Sequence, residues 1–216
     1  MLALVIDTSS AAVTAGVVDD DRLLAERVTV NARAHGELLT PSIRACLAEA
    51  GAAMTDLAAV VAGVGPGPFT GLRVGLVTAA AICDALRIPG YPVCSLDAIA
   101  AAHPDRNRLL VAGDARRKEI YWALYDAGRR RTEPAVGKPA DLPPELGAGA
   151  AVGAGAELYA EVLGLPVLNG AYPTVRGLAT VALDRLRAGA DGEPFTPLYL
   201  RRPDAQVPAA AKPVGS

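Results

Sequence analysis

Three groups of residues have types and spacings that suit chemistry on a phosphate or a metal ion: Asp7-Thr8-Ser9, the turn Gly65-Pro66-Gly67-Pro68-Phe69-Thr70-Gly71, and Asp114. Two carboxylates across a cleft can hold a hard cation, and a glycine turn that opens a helix presents N–H groups to an anion. The turn lacks the parts that complete such a site. A Walker loop ends in Gly-Lys-Ser/Thr, and Thr70-Gly71-Leu72 stands in that place. The dinucleotide fingerprint asks for glycine at its first, third and sixth positions, and Thr70 occupies the sixth. Pro66 and Pro68 remove two backbone donors that an anion nest would use. The pattern predicts a rigid turn that launches a helix. It leaves Asp7, Thr8, Ser9, Gly65, Gly67, Thr70 and Asp114 as a vestigial nucleotide cleft that takes no cofactor.

Other catalytic classes find little support. The chain has only His35 and His103, with no HxxxH or HExxH spacing, so a zinc or iron centre lacks ligands. Ser9, His35 and Asp7 supply the residue types of a hydrolytic triad, but no G-x-S-x-G elbow presents the serine. Cys46, Cys83 and Cys94 are odd in number and sit in apolar stretches, as free buried thiols in a reducing compartment do. The 216 residues are 51% hydrophobic with a formal charge of −2, enough for a large core and without an overall basic field to draw the chain onto nucleic acid. Arg116-Arg117-Lys118 and Arg129-Arg130-Arg131 read as solvated turns without interleaved aromatics. The start MLALVIDTSS has no basic segment, and Asp7 interrupts its apolar run, unlike a signal peptide. The helix pattern around 74–86, with Arg73 and Asp84, reads as too short to cross a bilayer. A cytoplasmic protein with no membrane contact is expected.

The elements that must position these groups are legible from periodicity. Strands are predicted at 2–6, 13–18 and 23–30, a helix at 35–50, a strand at 58–64, a helix at 69–86, a strand at 91–94 and a small helix at 96–102. A polar boundary at 103–107 precedes strands at 109–113 and 120–125, which put Asp114 in the place Asp7 holds in the first half. The sequence from 134 to 155 is rich in Pro and Gly, followed by helix 157–163, strand 167–168 and helix 175–188. Residues 201–216, with three prolines among alanines, read as a flexible tail. The chain divides into a first lobe, 1–104, and a reduced second lobe, 105–200, whose last helix could pack back on the first. Gly71, Gly75, Thr78, Ala79 and Ile82 give the second helix a face of little bulk, suited to its own sheet or to another molecule.

GPGPFTGLRVG, residues 65–75, resembles the GPGSFTGLR signature of the bacterial TsaB (YeaZ-type) proteins. Ile6-Asp7-Thr8-Ser9, the run from Arg33 to Pro41 and the run from Asp114 to Tyr121 agree with that family. The resemblance implies an α/β, two-lobed ASKHA fold (actin-like ATPase, ribonuclease-H-like) with a reduced second lobe. It implies a non-catalytic partner of a TsaD-like enzyme in making tRNA threonylcarbamoyladenosine, beside the anticodon of tRNAs reading codons that begin with A. A TsaE-like ATPase would join the pair, tRNA would be met only through the complex, and the chain alone would form a homodimer. The heterodimer would use the first two helices, through Leu38, Leu39, Ser42, Ile43, Cys46, Gly71, Leu72, Gly75, Thr78, Ala79 and Ile82, with Gly75→Arg as a probe. Which of these face the partner and which the core is open. The alternative reading is an enzyme acting by itself, an ASKHA nucleotide hydrolase or a glycoprotease-like peptidase. Pro68, where relatives usually carry serine, weakens a nucleotide role further.

Overall fold

A computed structural model describes residues 1–201; most of the expected tail, 202–216, lies outside the described residues. The first sheet has the order β3-β2-β1-β4-β5. Strands β1 (Leu2–Asp7), β2 (Ala12–Asp19) and β3 (Arg22–Val30) form an antiparallel meander. β4 (Ala59–Gly63) adds parallel to β1, and β5 (Gly90–Val93) adds parallel to β4. Both faces are covered, which is why β1 reads as a near-continuous apolar run. Alternate residues serve the two faces. Leu4 and Ile6 meet Leu39, Ile43, Cys46 and Ala79 from α1 (His35–Glu49) and α2 (Phe69–Leu86). Ala3 and Val5 meet Val175, Leu178, Ala182 and Leu186 from α6 (Val175–Ala188).

α6 is the last helix of the chain, yet it covers the first sheet. Thr174 caps it by accepting from the Gly177 N–H at 3.0 Å, satisfying one of the free donors of its first turn. The Val175 N–H donates to Glu26 of β3 at 2.7 Å, and Thr14 of β2 donates to the Pro173 carbonyl at 2.9 Å.

The second sheet repeats the first in outline, with order β11-β10-β6-β7-β8 and β9 added to β7. β6 (Leu109–Asp114) and β7 (Ile120–Asp126) form the central hairpin, and β10 (Ala150–Val152) adds parallel to β6. β8 (Arg129–Arg130) and β11 (Val167–Leu168) are two-residue edges. One face packs on α3 (Ser95–Ala100) through Leu96, Ile99 and Ala100. The other carries α4 (Ala154–Leu158) and α5 (Ala160–Leu163), the predicted helix 157–163 beginning earlier and breaking at Tyr159. The Pro- and Gly-rich stretch holds β9 (Ala135–Gly137) and β10, strands too short for periodicity to register.

α2 corrects one expectation. It runs 18 residues at mean hydropathy 1.5, long and apolar enough by length and composition to cross a membrane. Gly71, Leu72, Gly75, Leu76 and Ala79 form its buried face, and the rest of the helix is half-buried or exposed.

Candidate functional site

The turns that follow the two central strands meet at a cleft of about 810 Å³ between the sheets. Ser9, Thr70 and Asp114 line it, whereas Asp7, Thr8, Gly65 and Gly67 do not. Asp7 is 1% exposed. One of its carboxylate oxygens accepts from the Ser9 N–H and hydroxyl, both at 2.8 Å, and the other accepts from the Ser95 hydroxyl at 2.5 Å. Gly63 lies so close behind that any Cβ there would collide with the carboxylate. Burial pushes the Asp7 pKa up, while hydrogen bonds from Ser95 and Ser9, and His35 nearby, pull it back. Buried behind Ser9 and Ser95, Asp7 does not line the cleft that Asp114 borders, so the two carboxylates do not face one another as a cation-binding pair. Ser95, which seals it, carries no signal in the sequence beyond opening a short helix.

Thr8 is committed to the interior. Its hydroxyl donates to the Gly71 carbonyl at 2.7 Å and accepts from the Gly75 N–H at 2.9 Å, so it sits across one rung of the α2 ladder. The approach requires glycine at both positions: a Cβ on Gly75 would lie 2.5 Å from the Thr8 hydroxyl, and one on Gly71 2.8 Å from the Thr8 carbonyl. Gly75→Arg is therefore a lesion of the first lobe, unsuited to probing an interface. His35, buried beside Gly71, donates from Nε2 to the Ser10 carbonyl at 2.8 Å.

The glycine turn is similarly occupied. The Gly65 N–H donates to the Ser95 hydroxyl at 3.3 Å, and the Gly65 carbonyl accepts from the Ser95 N–H at 2.8 Å. Gly67 backs onto the Ser9 carbonyl, leaving no room for a Cβ. With Pro66 and Pro68 giving no N–H, the turn offers a phosphate few donors. No cluster of three or more His, Cys, Asp or Glu side chains that could hold a metal exists among the described residues. The three cysteines are free thiols; burial pushes Cys83 up to about 11 and Cys94 up to about 12, so both are protonated at neutral pH.

Asp114 lies at the cleft rim, accepting from the Arg116 N–H at 2.8 Å and facing its guanidinium at 3.4 Å. The turn that follows is unusual. Arg116, Arg117 and Lys118 have φ of 60°, 55° and 61°, a left-handed run that costs L-residues about 1–2 kcal/mol each. Opposite it, Phe69 at the start of α2 stacks on Tyr199 with centroids 5.0 Å apart. The segment carrying Tyr199 runs along the first lobe, with the Leu198 N–H donating to the Val64 carbonyl and the Glu193 N–H to the Gly90 carbonyl. It carries Arg201, which donates to the Ala115 carbonyl and pairs with Glu119. Sequence reasoning had no signal for this strap, which forms no helix or strand.

Of the nominated interface residues, Leu39, Ile43, Cys46, Gly71, Leu72, Gly75 and Ala79 are buried within the chain, and Leu38, Ser42, Thr78 and Ile82 are half-buried. The outer side of α2 carries Arg73, Val77, Ala80, Ala81 and Asp84, with Val77 66% exposed.

Residues 23–161 match the family described as TsaD: tRNA N6-adenosine threonylcarbamoyltransferase. The chain is 50% identical over 209 residues to an uncharacterized protein of Mycobacterium leprae, covering 95% of this chain and 56% of that protein. It is 32% identical over 126 residues to the tRNA threonylcarbamoyladenosine biosynthesis protein TsaB of Bacillus subtilis, covering 58% of this chain and 55% of that one. The matched region spans little more than half the length of each of these two relatives, whereas an uncharacterized protein of Mycobacterium tuberculosis, 50% identical over 205 residues, is covered over 93% of its length and 94% of this chain. Among solved structures, YeaZ from Pseudomonas aeruginosa superposes with a TM-score of 0.78 at 27% identity, covering 92% of this chain and 99% of that one.

Proposed function

This chain belongs to the TsaD family, in which it is a TsaB/YeaZ-type protein of ASKHA fold, and on that premise we propose that it serves tRNA threonylcarbamoyladenosine biosynthesis as a non-catalytic partner of a TsaD-like enzyme. The observation that carries the partner role is α2. Over its 18 residues it has a mean hydropathy of 1.5, yet only 28% of it is buried within the chain. An apolar helix face of this kind is covered in a working assembly. The half-buried Leu38, Ser42, Thr78 and Ile82, with exposed Val77, form the docking surface on α1 and α2, and a second copy of the chain occupies it when no partner is present. The sealing of Asp7 and the proline-blocked turn support the absence of catalysis. A TsaE-like ATPase and tRNA join through the complex, in the cytoplasm.

The experiment is co-purification of the full chain with its TsaD-like counterpart, read by light scattering after gel filtration. Val77→Arg places a charge on the exposed apolar face without touching the core, and is expected to weaken the complex by about tenfold or more while the variant melts as the wild type does. A complex indifferent to Val77→Arg and Ile82→Arg, or turnover of Mg-ATP by the isolated chain, overturns the reading.

A further inference from the structure

We propose that the strap, residues 193–201, is a clasp across one flank of the interlobe cleft: it grips both sheets and so sets how far the cleft opens. The chain itself holds the other flank. Residues 169–174 pass from β11, at one edge of the second sheet, to α6, and there Thr14 of β2 donates to the Pro173 carbonyl. The earlier crossing, 101–108, enters β6 at its first residue, about 20 Å from Asp114 at the far end of that strand. The β6–β7 turn, 115–119, lies beyond that far end, on the side of β6 away from β10 and β11. The strap reaches this turn from the first sheet.

Its grip on the first sheet is built from backbone and rings. The Glu193 N–H donates to the Gly90 carbonyl at 2.9 Å and the Leu198 N–H to the Val64 carbonyl at 2.8 Å. Phe195 packs so close to Gly90 that a Cβ there would lie 2.5 Å from its ring. Tyr199 stacks on Phe69, and its hydroxyl accepts from Arg73 Nε at 3.0 Å. Pro194 and Pro197 reduce the freedom this segment loses on being ordered. On the second sheet, Arg201 grips both ends of one turn. It donates to the Ala115 carbonyl at 2.8 Å and pairs with Glu119, while the Ala115 N–H donates to the Glu119 carbonyl at 3.0 Å. The Arg201 and Glu119 side chains are 25% and 30% exposed, partly shielded from the water that makes open surface pairs weak.

Between the two grips the strap stands off the body of the protein. A space of about 310 Å³ lies behind Tyr199, Leu200 and Arg201, and Pro68, Phe69, Arg116 and Tyr121 line both this space and the cleft. The strap therefore bridges the sheets by its contacts at either end, without a packed layer beneath its last residues. A segment held by few, partly exposed contacts opens at a small fraction of the global unfolding free energy. The opening of the cleft then follows the population of unclasped strap. The clasp belongs to the isolated chain and stands apart from docking through α1 and α2.

The test measures the width of the cleft in the full chain. Spin labels at Arg33→Cys, ahead of α1, and Glu157→Cys, on α4, stand at exposed positions lining the cleft, one in each half of the chain. Cys83→Ala and Cys94→Ala remove the half-buried native thiols, and Cys46 is buried. Double electron–electron resonance is expected to give one narrow distance while the strap is intact. Tyr199→Ala combined with Arg201→Gln is expected to raise the population at longer distances about tenfold, the loss of an aromatic pair and a partly shielded ion pair. Glu119→Gln releases the grip from the second sheet alone and is expected to raise it about threefold. Thermal melts identify which variants are folded, and Glu119→Gln decides the matter if the double variant is not. An unchanged distance distribution in a folded strap variant overturns the proposal. So does a distribution already broad with the strap intact, or a Glu119→Gln chain that melts earlier without populating longer distances.

Discussion

The turn after β1 and the turn after β6 leave equivalent places in two sheets of like topology, and they treat polar groups in opposite ways. From Asp7 to Ala11 the chain turns its carboxylate and hydroxyls inward, onto Ser95, Gly71 and Gly75. From Asp114 to Glu119 it turns them outward, with Arg116, Arg117 and Lys118 exposed on a strained backbone. Their surroundings differ in the same sense. The first sheet has 15- and 18-residue helices on one face and α6 on the other, whereas the second has five- and four-residue helices opposite α3. A buried carboxylate needs a rigid, well-covered shell to hold its hydrogen bonds, and only the first sheet supplies one. The lesson is a division of labour: the first turn has become framework, and the second remains surface.

Removing packing from each side is the strongest way to break this comparison. Leu178→Ala, in the fully buried stripe of α6, is expected to cost about 2–5 kcal/mol. Val162→Ala on α5, 55% exposed, is expected to stay within about 0.5 kcal/mol. Denaturant unfolding of the two variants checks both, and similar losses would dissolve the contrast.

Gly75→Ala tests the Thr8 clamp. Helix propensity alone favours alanine by about 1 kcal/mol. The added Cβ would lie 2.5 Å from the Thr8 hydroxyl, and overpacking of that kind costs about 1–3 kcal/mol, so a net fall in melting temperature is expected. Gly137→Ala in β9, where a Cβ meets nothing within 4 Å, is expected to be neutral or slightly stabilising, by less than about 0.5 kcal/mol.

Asp7→Asn sharpens the comparison by pH. Burial raises the Asp7 pKa in the folded state above its ordinary 3.8, so the folded chain retains a proton that the unfolded chain releases. That contribution to stability is complete below 3.8 and declines as pH rises through the folded pKa, with a slope of at most about 1.4 kcal/mol per pH unit. Asp7→Asn is expected to remove the slope, so that the stability difference between variant and wild type shifts in favour of the variant as pH rises from 3.8. Parallel stability curves for the two proteins between pH 3 and neutrality would refute the buried titration.

Much of the first lobe was legible along the chain. Leu4 and Ile6 alternating with Ala3 and Val5 announced a strand with two covered faces, and Leu39, Ile43, Cys46 and Leu47 announced the inward stripe of α1. The second lobe was less so. β11 was read at 167–168 and lies there, but β9 and β10 have three residues each, below the span over which a period can be counted, and they are held as edges by β7 and β6. The stripe Gly71, Gly75 and Ala79 was read as a face for close approach; the approach is made by Thr8 and the first sheet.

The sequence by itself determined the order of the first seven elements, the glycine turn that opens a helix, and the lack of a Walker lysine, because periodicity and residue type are local properties. Tertiary structure alone decided that Asp7 is sealed by Ser95, 88 residues away, and that Thr8 bridges Gly71 and Gly75, 63 and 67 residues away. It alone set Phe69 against Tyr199 beside a basic turn. Those outcomes depend on how the sheets and the strap pack, and a side chain's partners across such distances leave no trace in its neighbours along the chain.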